Sequence, residues 1–262
     1  MAATSIPDWN GKSVNVIRSK GGVLALYDFT DNLIKVSPSG CPPPEVLQKL
    51  YKSEKLWAFP EEDQSLVCEK LGYYCDLQSV HSEDAMQWSY FGPLIYGTEA
   101  DRLQFGRWLR RVLNLGVPEP SNCYITMRRR LPHPDNGTPN GPEVDLLIAA
   151  DTFVLVVESK WRSGEGRWQG MDGTATQVQL RQRYLSRFGK RLFGEAFLAV
   201  LYIVLDPSQS ASGDLESKVP VLNARWTDLC DYGGHPRAEE TRRYYDWKRH
   251  LVVRKFGIPA PG

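Results

Sequence analysis

The sequence lacks a long apolar run, a secretory leader and a regular cysteine framework. No stretch of about 18 uninterrupted apolar residues occurs, and the first residues carry neither a basic region nor an apolar segment. We therefore expect no membrane span and no classical secretion. The five cysteines are odd in number and scattered, which disfavours a disulfide framework and predicts a reduced, cytoplasmic protein. They are Cys41, Cys68, Cys75, Cys123 and Cys230.

Several common motifs of catalytic and ligand-binding sites are also absent. There is no GxxxxGK(S/T) phosphate loop, no GxGxxG after a strand and no GxSxG nucleophile elbow. Cys68, Cys75 and His81 have no second pair that would complete a zinc site at the usual spacing. The four histidines are isolated in sequence. These absences argue against nucleotide-binding folds, structural zinc and histidine-dependent catalysis.

Charge is nearly balanced overall but is distributed unevenly along the 262 residues. The net charge is +1, yet residues 1–92 hold 8 Lys and Arg against 12 Asp and Glu, whereas residues 93–262 hold 24 against 19. A basic excess favours contact with phosphate groups, since Lys and Arg supply most such contacts. The later part of the chain is therefore the expected nucleic-acid surface.

Patterning divides the chain into a small N-terminal α+β region, residues 1–92, and a larger region, residues 93–262. The first region has strand-like runs at 14–19, 23–29 and 33–37 and a helical pattern at 45–56. The second predicts a helix at 97–116, strands at 123–131, 143–150 and 152–161, a helix at 174–190, a strand at 197–206 and a helical tail at 238–257. Thr98 is the expected N-cap of the first of these helices, and Gly116 is its expected stop. The role of residues 1–92 is left unassigned.

The hairpin formed by residues 144–160 carries the candidate chemistry. If its turn is centred between Asp151 and Thr152, facing residues have numbers that sum to 303, and Asp145 faces Glu158. Lys160 lies two residues beyond Glu158, so it shares the same face. An odd-length loop would shift the register by one and move Glu158 to the opposite face.

Two facing carboxylates repel each other, and the physical reason to tolerate this juxtaposition is a divalent cation that bridges them. Mg²⁺ is typically held by one or two carboxylates together with water and substrate phosphate. The bound ion lowers the pKa of a water molecule, and a nearby lysine can orient or deprotonate that water. The alternative is a surface hairpin whose acids are paired by Lys160 or by an arginine from elsewhere in the chain.

The segments Pro142-Glu143-Val144-Asp145 and Glu158-Ser159-Lys160, in their helix and strand context, resemble the PD-(D/E)XK nuclease superfamily. The resemblance covers residues 93–232 and implies an α/β, restriction-endonuclease-like, three-layer core, with a central mixed sheet flanked by helices. It implies a metal-dependent nuclease that hydrolyses phosphodiester bonds of DNA with Mg²⁺ or Mn²⁺. The residues Trp226-Thr227-Asp228-Leu229 look like the structural strand-to-helix corner that follows the core in some relatives.

The resemblance also implies roles for individual residues. Asp145 and Glu158 would bind the metal, the Ser159 carbonyl would complete its shell, and Lys160 would serve the attacking water. Glu99 would be the acidic residue of the preceding helix and a further metal ligand, with Asp101 as the alternative. Gln177 would lie near the scissile phosphate, with Gln179 as its competitor, because the usual Gln-x-x-x-Tyr spacing is not present here.

Arginines near these segments are candidate contacts to the nucleic-acid backbone. Half or more of protein–DNA hydrogen bonds go to phosphate and sugar. The candidates are Arg128, Arg129, Arg130, Arg162, Arg167 and Arg181. A homodimer is compatible with cutting both strands of a duplex. Two other hypotheses remain open: a non-cleaving module of the same fold that binds nucleic acid or protein, and a structural or regulatory protein of a mobile element.

Overall fold

The structure, a computed structural model, describes residues 4–19, 22–36, 75–135, 141–162 and 175–253. Residue contacts divide the chain into two units, Met1–Pro93 with Arg237–Gly262, and Leu94–Pro236. These contacts group the C-terminal helix with the N-terminal residues, whereas the sequence pattern assigned it to the second region. The predicted domain boundary at 92/93 stays a prediction.

The first unit contains an antiparallel sheet of three strands in the order β1 (Thr4–Pro7), β2 (Ser13–Arg18) and β3 (Leu24–Leu26). The strand expected at 14–19 is confirmed, the strand expected at 23–29 is confirmed only over residues 24–26, and β1 was not predicted. The strand expected at 33–37 is wrong over the described residues 33–36, which follow a 3-10 turn at Phe29–Asn32. There the Ile34 N–H donates to the Ser89 hydroxyl at 3.0 Å rather than to a neighbouring strand. The helix expected at 45–56 lies outside the described residues.

Two helices complete the described part of this unit. Helix α1 spans Glu83–Ile95, and the helix at the C-terminal end, numbered α5 in chain order, spans Ala238–Val253. The helical tail is thus confirmed, while α1 was not delimited from the sequence. Trp88, Tyr90 and Phe91 of α1 are buried, whereas Tyr96, which follows the helix, is exposed.

The second unit follows the predicted order of elements. Helix α2 (Glu99–Val112) precedes β4 (Cys123–Arg130), β5 (Glu143–Ala150) and β6 (Phe153–Ser159), and then come α3 (Gln177–Phe193) and β7 (Phe197–Val204). The strand-to-helix corner is also confirmed, because β8 (Val221–Arg225) runs directly into the short helix α4 (Trp226–Cys230). The chain is therefore a mixed α/β protein.

Capping boxes explain where α2 and α3 begin. The Thr98 hydroxyl accepts a hydrogen bond from the Asp101 N–H at 3.1 Å, and the Asp101 carboxylate accepts one from the Thr98 N–H at 2.9 Å. Thr176 and Gln179 exchange the same pair of bonds at the start of α3. Helix α2 ends earlier than Gly116 predicts, because Asn114 adopts a left-handed backbone with φ of 50°.

The sheet of the second unit has five strands in the order β4-β5-β6-β7-β8. Pairs β4–β5 and β5–β6 are antiparallel, whereas β6–β7 and β7–β8 are parallel. On one face, Gly106 of α2 lies against Cys123 and Phe153. On the other, Val178 and Leu185 of α3 pack in a cluster with Val156 and Val200. Since residues 153 and 156 point to opposite faces, helices cover both sides of the sheet.

Gly141 lies against backbone at the entry to β5. Its N–H donates to the Leu131 carbonyl at 2.9 Å, and a Cβ here would approach that oxygen more closely than real Cβ atoms do. We expect Gly141→Ala to lower the free energy of unfolding by about 1–3 kcal/mol, because the backbone must shift. Chemical denaturation measures this change. The control is Gly116→Ala, where no atom lies within 4 Å, and equal losses in both variants would contradict the prediction.

The described cysteines are reduced and buried. Cys75, Cys123 and Cys230 form no disulfide, and burial raises the pKa of the Cys123 thiol to about 12. Such a thiol has little thiolate at neutral pH and is a poor nucleophile. Cys41 and Cys68 lie outside the described residues. Over the described part of the chain, none of the helices has the length and apolar character that a membrane crossing requires.

Candidate functional site

The β5–β6 hairpin has the register that the sequence predicts. Leu146 pairs with Val157, Leu147 with Val156, and Ile148 with Leu155, so paired residue numbers sum to 303. One step beyond the last pair, the same register sets Asp145 opposite Glu158. Asp145 lies near the start of β5 and Glu158 near the end of β6. The parallel strand β7 continues beside Glu158, with Tyr202 in register with it. The facing acidic pair is therefore a feature of the folded chain.

Lys160 shares the face of Glu158, as expected from strand alternation. Its ammonium nitrogen donates to Glu158 Oε1 at 3.1 Å. The side chains of Glu158 and Lys160 are only 2% and 8% exposed, so the contact is shielded from solvent. The backbone of Lys160 is also fixed, because its N–H donates to the Ile203 carbonyl and its carbonyl accepts from the Trp226 indole at 3.1 Å.

Asp145 is engaged at both carboxylate oxygens. Arg128 Nη1 donates to Oδ1 at 2.8 Å, and the Ser159 N–H donates to Oδ2 at 3.2 Å. Arg128 lies opposite Asp145 in the β4–β5 register, between the pairs Met127–Leu146 and Arg129–Val144. Its φ is 51°, a left-handed conformation that is uncommon for a residue other than glycine.

Glu158 is the most buried acidic residue of the site, and its protonation equilibrium reflects this. Arg181 Nη2 of α3 lies 3.6 Å from Oε2, but that oxygen accepts no hydrogen bond from the described residues. Desolvation, followed by the negative charge of Asp145, raises the pKa of Glu158 to about 7, against the opposing effect of Lys160 and Arg181. Neutral pH therefore leaves Glu158 near the midpoint of its titration.

The cations around the pair correct one premise of the sequence argument. Repulsion between Asp145 and Glu158 does not by itself require a divalent ion, because Arg128, Lys160 and Arg181 already compensate it. The sequence-based alternative, pairing by Lys160 or by an arginine from elsewhere, describes this arrangement. The observed cluster differs from the surface hairpin of that alternative because it is buried. The side chains of Arg128 and Asp145 are only 10% and 12% exposed.

The two helix residues expected near the site occupy helix N-termini. Glu99 is exposed in the first turn of α2, and none of the contacts described for the chain joins it to Asp145 or Glu158. Its alternative, Asp101, is held by the capping box with Thr98. The predicted roles of Glu99 and Asp101 stay predictions.

Gln177 and Gln179 begin α3, four and two residues before Arg181. The side chain of Gln179 accepts from the Thr176 N–H at 3.0 Å, so it is used in the helix cap. Gln177 shares the helix face of Arg181 by its i, i+4 spacing, and Arg181 is the residue that reaches Glu158. Of the two candidates, Gln177 is therefore the better placed.

Four of the six arginines predicted to contact nucleic acid form two groups, one buried and one exposed. Arg128 and Arg181 are largely buried against the two carboxylates. Arg129 and Arg130 are exposed at the end of β4, and Arg130 lies 3.8 Å from Glu143. Burial lowers the pKa of Arg162, which follows Lys160 by two residues. Arg167 lies outside the described residues.

A metal ion fits the donors that this chain presents, although they are few. In the ranges the structure describes, no three His, Cys, Asp or Glu residues form a metal-binding group. Mg²⁺ needs only one or two carboxylates when water and phosphate supply the rest. Asp145 and Glu158 provide two: both Asp145 oxygens already accept hydrogen bonds, whereas Glu158 Oε2 is a buried oxygen without a hydrogen bond among the described residues.

Comparison with known proteins gives no match: no family model, curated protein or solved structure matches this chain.

Proposed function

We propose that this protein is a metal-dependent nuclease of the PD-(D/E)XK type, with a restriction-endonuclease-like core in its second unit. The observation that carries the proposal is the buried cluster at the start of β5 and the end of β6. Asp145 is set opposite Glu158, and Lys160 is hydrogen-bonded to Glu158 on the same face. The order α2, β4, β5, β6, α3, β7 and the helices on both faces of the sheet support the same assignment.

In this proposal Asp145, Glu158 and the Ser159 carbonyl hold Mg²⁺ or Mn²⁺. When bound, the ion supplies a Lewis acid that offsets phosphate charge and lowers the pKa of a water molecule. Lys160 is fixed at its backbone by Ile203 and Trp226, and its ammonium group orients the attacking water. Gln177, which shares the α3 face of Arg181, would position the scissile phosphate, while Arg181 stays paired with Glu158.

The proposed substrate is DNA, bound through its phosphates. Arg129 and Arg130 are the exposed cations nearest to the Arg128 side of the cluster along β4. Buried reduced thiols support a cytoplasmic location. A homodimer on the duplex would supply the two copies of the site that cutting both strands requires.

The test uses supercoiled plasmid and linear single-stranded DNA with Mg²⁺, Mn²⁺ or EDTA. We expect cutting with either ion, none with EDTA, and a loss of at least about 100-fold in Asp145→Asn, as when one electrostatic group is removed from an active site. Asp135→Asn is the control, because Asp135 is an exposed aspartate that pairs with Arg191 outside the cluster. Cutting that persists in EDTA would refute the proposal.

A second candidate is a non-cleaving module of the same fold. It is favoured by one observation: three cations lie against the two carboxylates, so the repulsion between the carboxylates is offset without a metal. Retention of DNA by the wild type and by Asp145→Asn alike, without cutting under any ion, would support this candidate. Neither cutting nor retention would favour a structural or regulatory role.

A further inference from the structure

The geometry of Arg128 points to a further role that rests on the proposed metal site. We propose that Arg128 is a resident counter-ion of Asp145, and that a divalent cation must displace its guanidinium to bind there. Arg128 would then set the metal affinity of the site.

The first support is the contact itself. Arg128 Nη1 lies 2.8 Å from Asp145 Oδ1, and Asp145 Oδ2 already accepts from the Ser159 N–H. An ion that binds Asp145 through Oδ1 therefore competes with a charged hydrogen bond. Both side chains are nearly buried, so water screens this competition weakly.

The second support is the backbone conformation of Arg128. A φ of 51° within a strand is strained for a residue with a Cβ, and the flanking pairs of the ladder keep their register on either side. The register alone sets Arg128 opposite Asp145. With its left-handed backbone, Arg128 places its guanidinium against the Asp145 carboxylate. Strained residues of this kind cluster at functional sites.

Of the two carboxylates, Asp145 is the one at which an arginine competes most directly with a divalent cation. Glu158 Oε2 accepts no hydrogen bond from the described residues, and Arg181 is 3.6 Å away. The ion can therefore approach Glu158 without breaking a short contact at Oε2. At Asp145 it must replace Arg128, and the released guanidinium is then a cation beside a site where phosphate is expected.

The test measures Mn²⁺ binding by calorimetry and by thermal shift, without substrate. We expect Arg128→Gln to bind Mn²⁺ about tenfold more tightly than the wild type, which corresponds to about 1.4 kcal/mol. The Mn²⁺-induced rise in melting temperature should be larger in this variant, and Asp145→Asn in the same background should abolish both effects. Arg128→Met serves as a second variant of similar length if Arg128→Gln folds poorly.

The matched control is Arg191→Gln. Arg191 forms an exposed pair with Asp135 at 2.7 Å, so its removal deletes the same charge and the same type of ion pair outside the site. Its Mn²⁺ affinity should equal that of the wild type.

The outcomes separate this inference from the proposed function. Asp145-dependent binding in the wild type that is equal or weaker in Arg128→Gln would overturn the inference alone. Binding in Arg128→Gln but not in the wild type would support the inference and count against metal-dependent cutting by the wild type. No Asp145-dependent binding in either protein would overturn both.

Discussion

Replacing Lys160 with methionine should reduce metal-dependent DNA cutting by about 10²–10⁴-fold, the range for a positioned group that handles a proton in the transition state. The change removes the ammonium group that contacts Glu158 at 3.1 Å, while the two carboxylates keep their places on the strands. Mn²⁺ binding should therefore survive. Initial rates on supercoiled plasmid, measured beside Mn²⁺ calorimetry on the same preparation, test both parts.

The control for this change is Lys190→Met. Lys190 is exposed on α3 and pairs with Glu195 at 2.8 Å, so the variant loses one cation without touching the site. Its cutting rate should stay within about twofold of the wild type, as expected for a screened surface pair. If Lys160→Met cuts as fast as Lys190→Met, Lys160 has no role in the chemistry. If Lys160→Met also loses Mn²⁺ binding, its role is in assembling the site.

Much of the second unit was predictable because its signals are local. Thr98 and Thr176 begin their helices through side chains only three residues away. The Asp151–Thr152 turn fixes the register of its own hairpin, and this places Asp145 opposite Glu158. In such segments the residues that decide the structure are neighbours in the sequence.

The end of α2 was mispredicted for a local reason, because Asn114 adopts the left-handed conformation two residues before Gly116. The failed strand depended on a distant part of the chain. The apolar run at 33–36 matches a strand pattern, but the Ile34 N–H is bound by Ser89, 55 residues away. Long-range hydrogen bonds override local propensity, which is a weak preference.

The same distinction applies within the candidate site. Asp145, Glu158 and Lys160 could be placed together from the hairpin alone. That Arg128 and Arg181 serve as counter-ions could not be predicted, because Arg128 depends on an unusual backbone conformation and Arg181 on how α3 lies over the sheet. Both were expected as contacts to DNA, and the sequence offered no signal that separates the two roles.

The buried Glu158 should make the stability of the protein depend on pH. Its pKa is raised to about 7 from an ordinary value of 4.5, so between these values the folded state binds more protons than the unfolded state. The contribution of Glu158 to stability is then greatest below pH 4.5 and is lost as the pH rises through 7. At about 1.4 kcal/mol for each pH unit, the loss approaches about 3 kcal/mol at pH 8.

Glu158→Gln should therefore be more stable than the wild type at pH 8, by up to about 3 kcal/mol, because a neutral amide replaces a desolvated carboxylate. The difference should vanish near pH 4.5, where the wild-type side chain is protonated. Urea denaturation in EDTA across pH 4.5–8 measures it, with exposed Glu143→Gln as the control at each pH. A gain that is the same at both ends of the range would contradict the argument.

Asp145→Asn distinguishes the two causes of the raised pKa. Desolvation is the larger cause and remains in this variant, whereas the repulsion from Asp145 is lost. The pH at which stability falls should therefore move below 7 without returning to 4.5. An unchanged midpoint would mean that Asp145 and Glu158 do not interact across the hairpin. Metal binding at Asp145 and Glu158 would then lose its electrostatic basis, since the two carboxylates would not act as a pair.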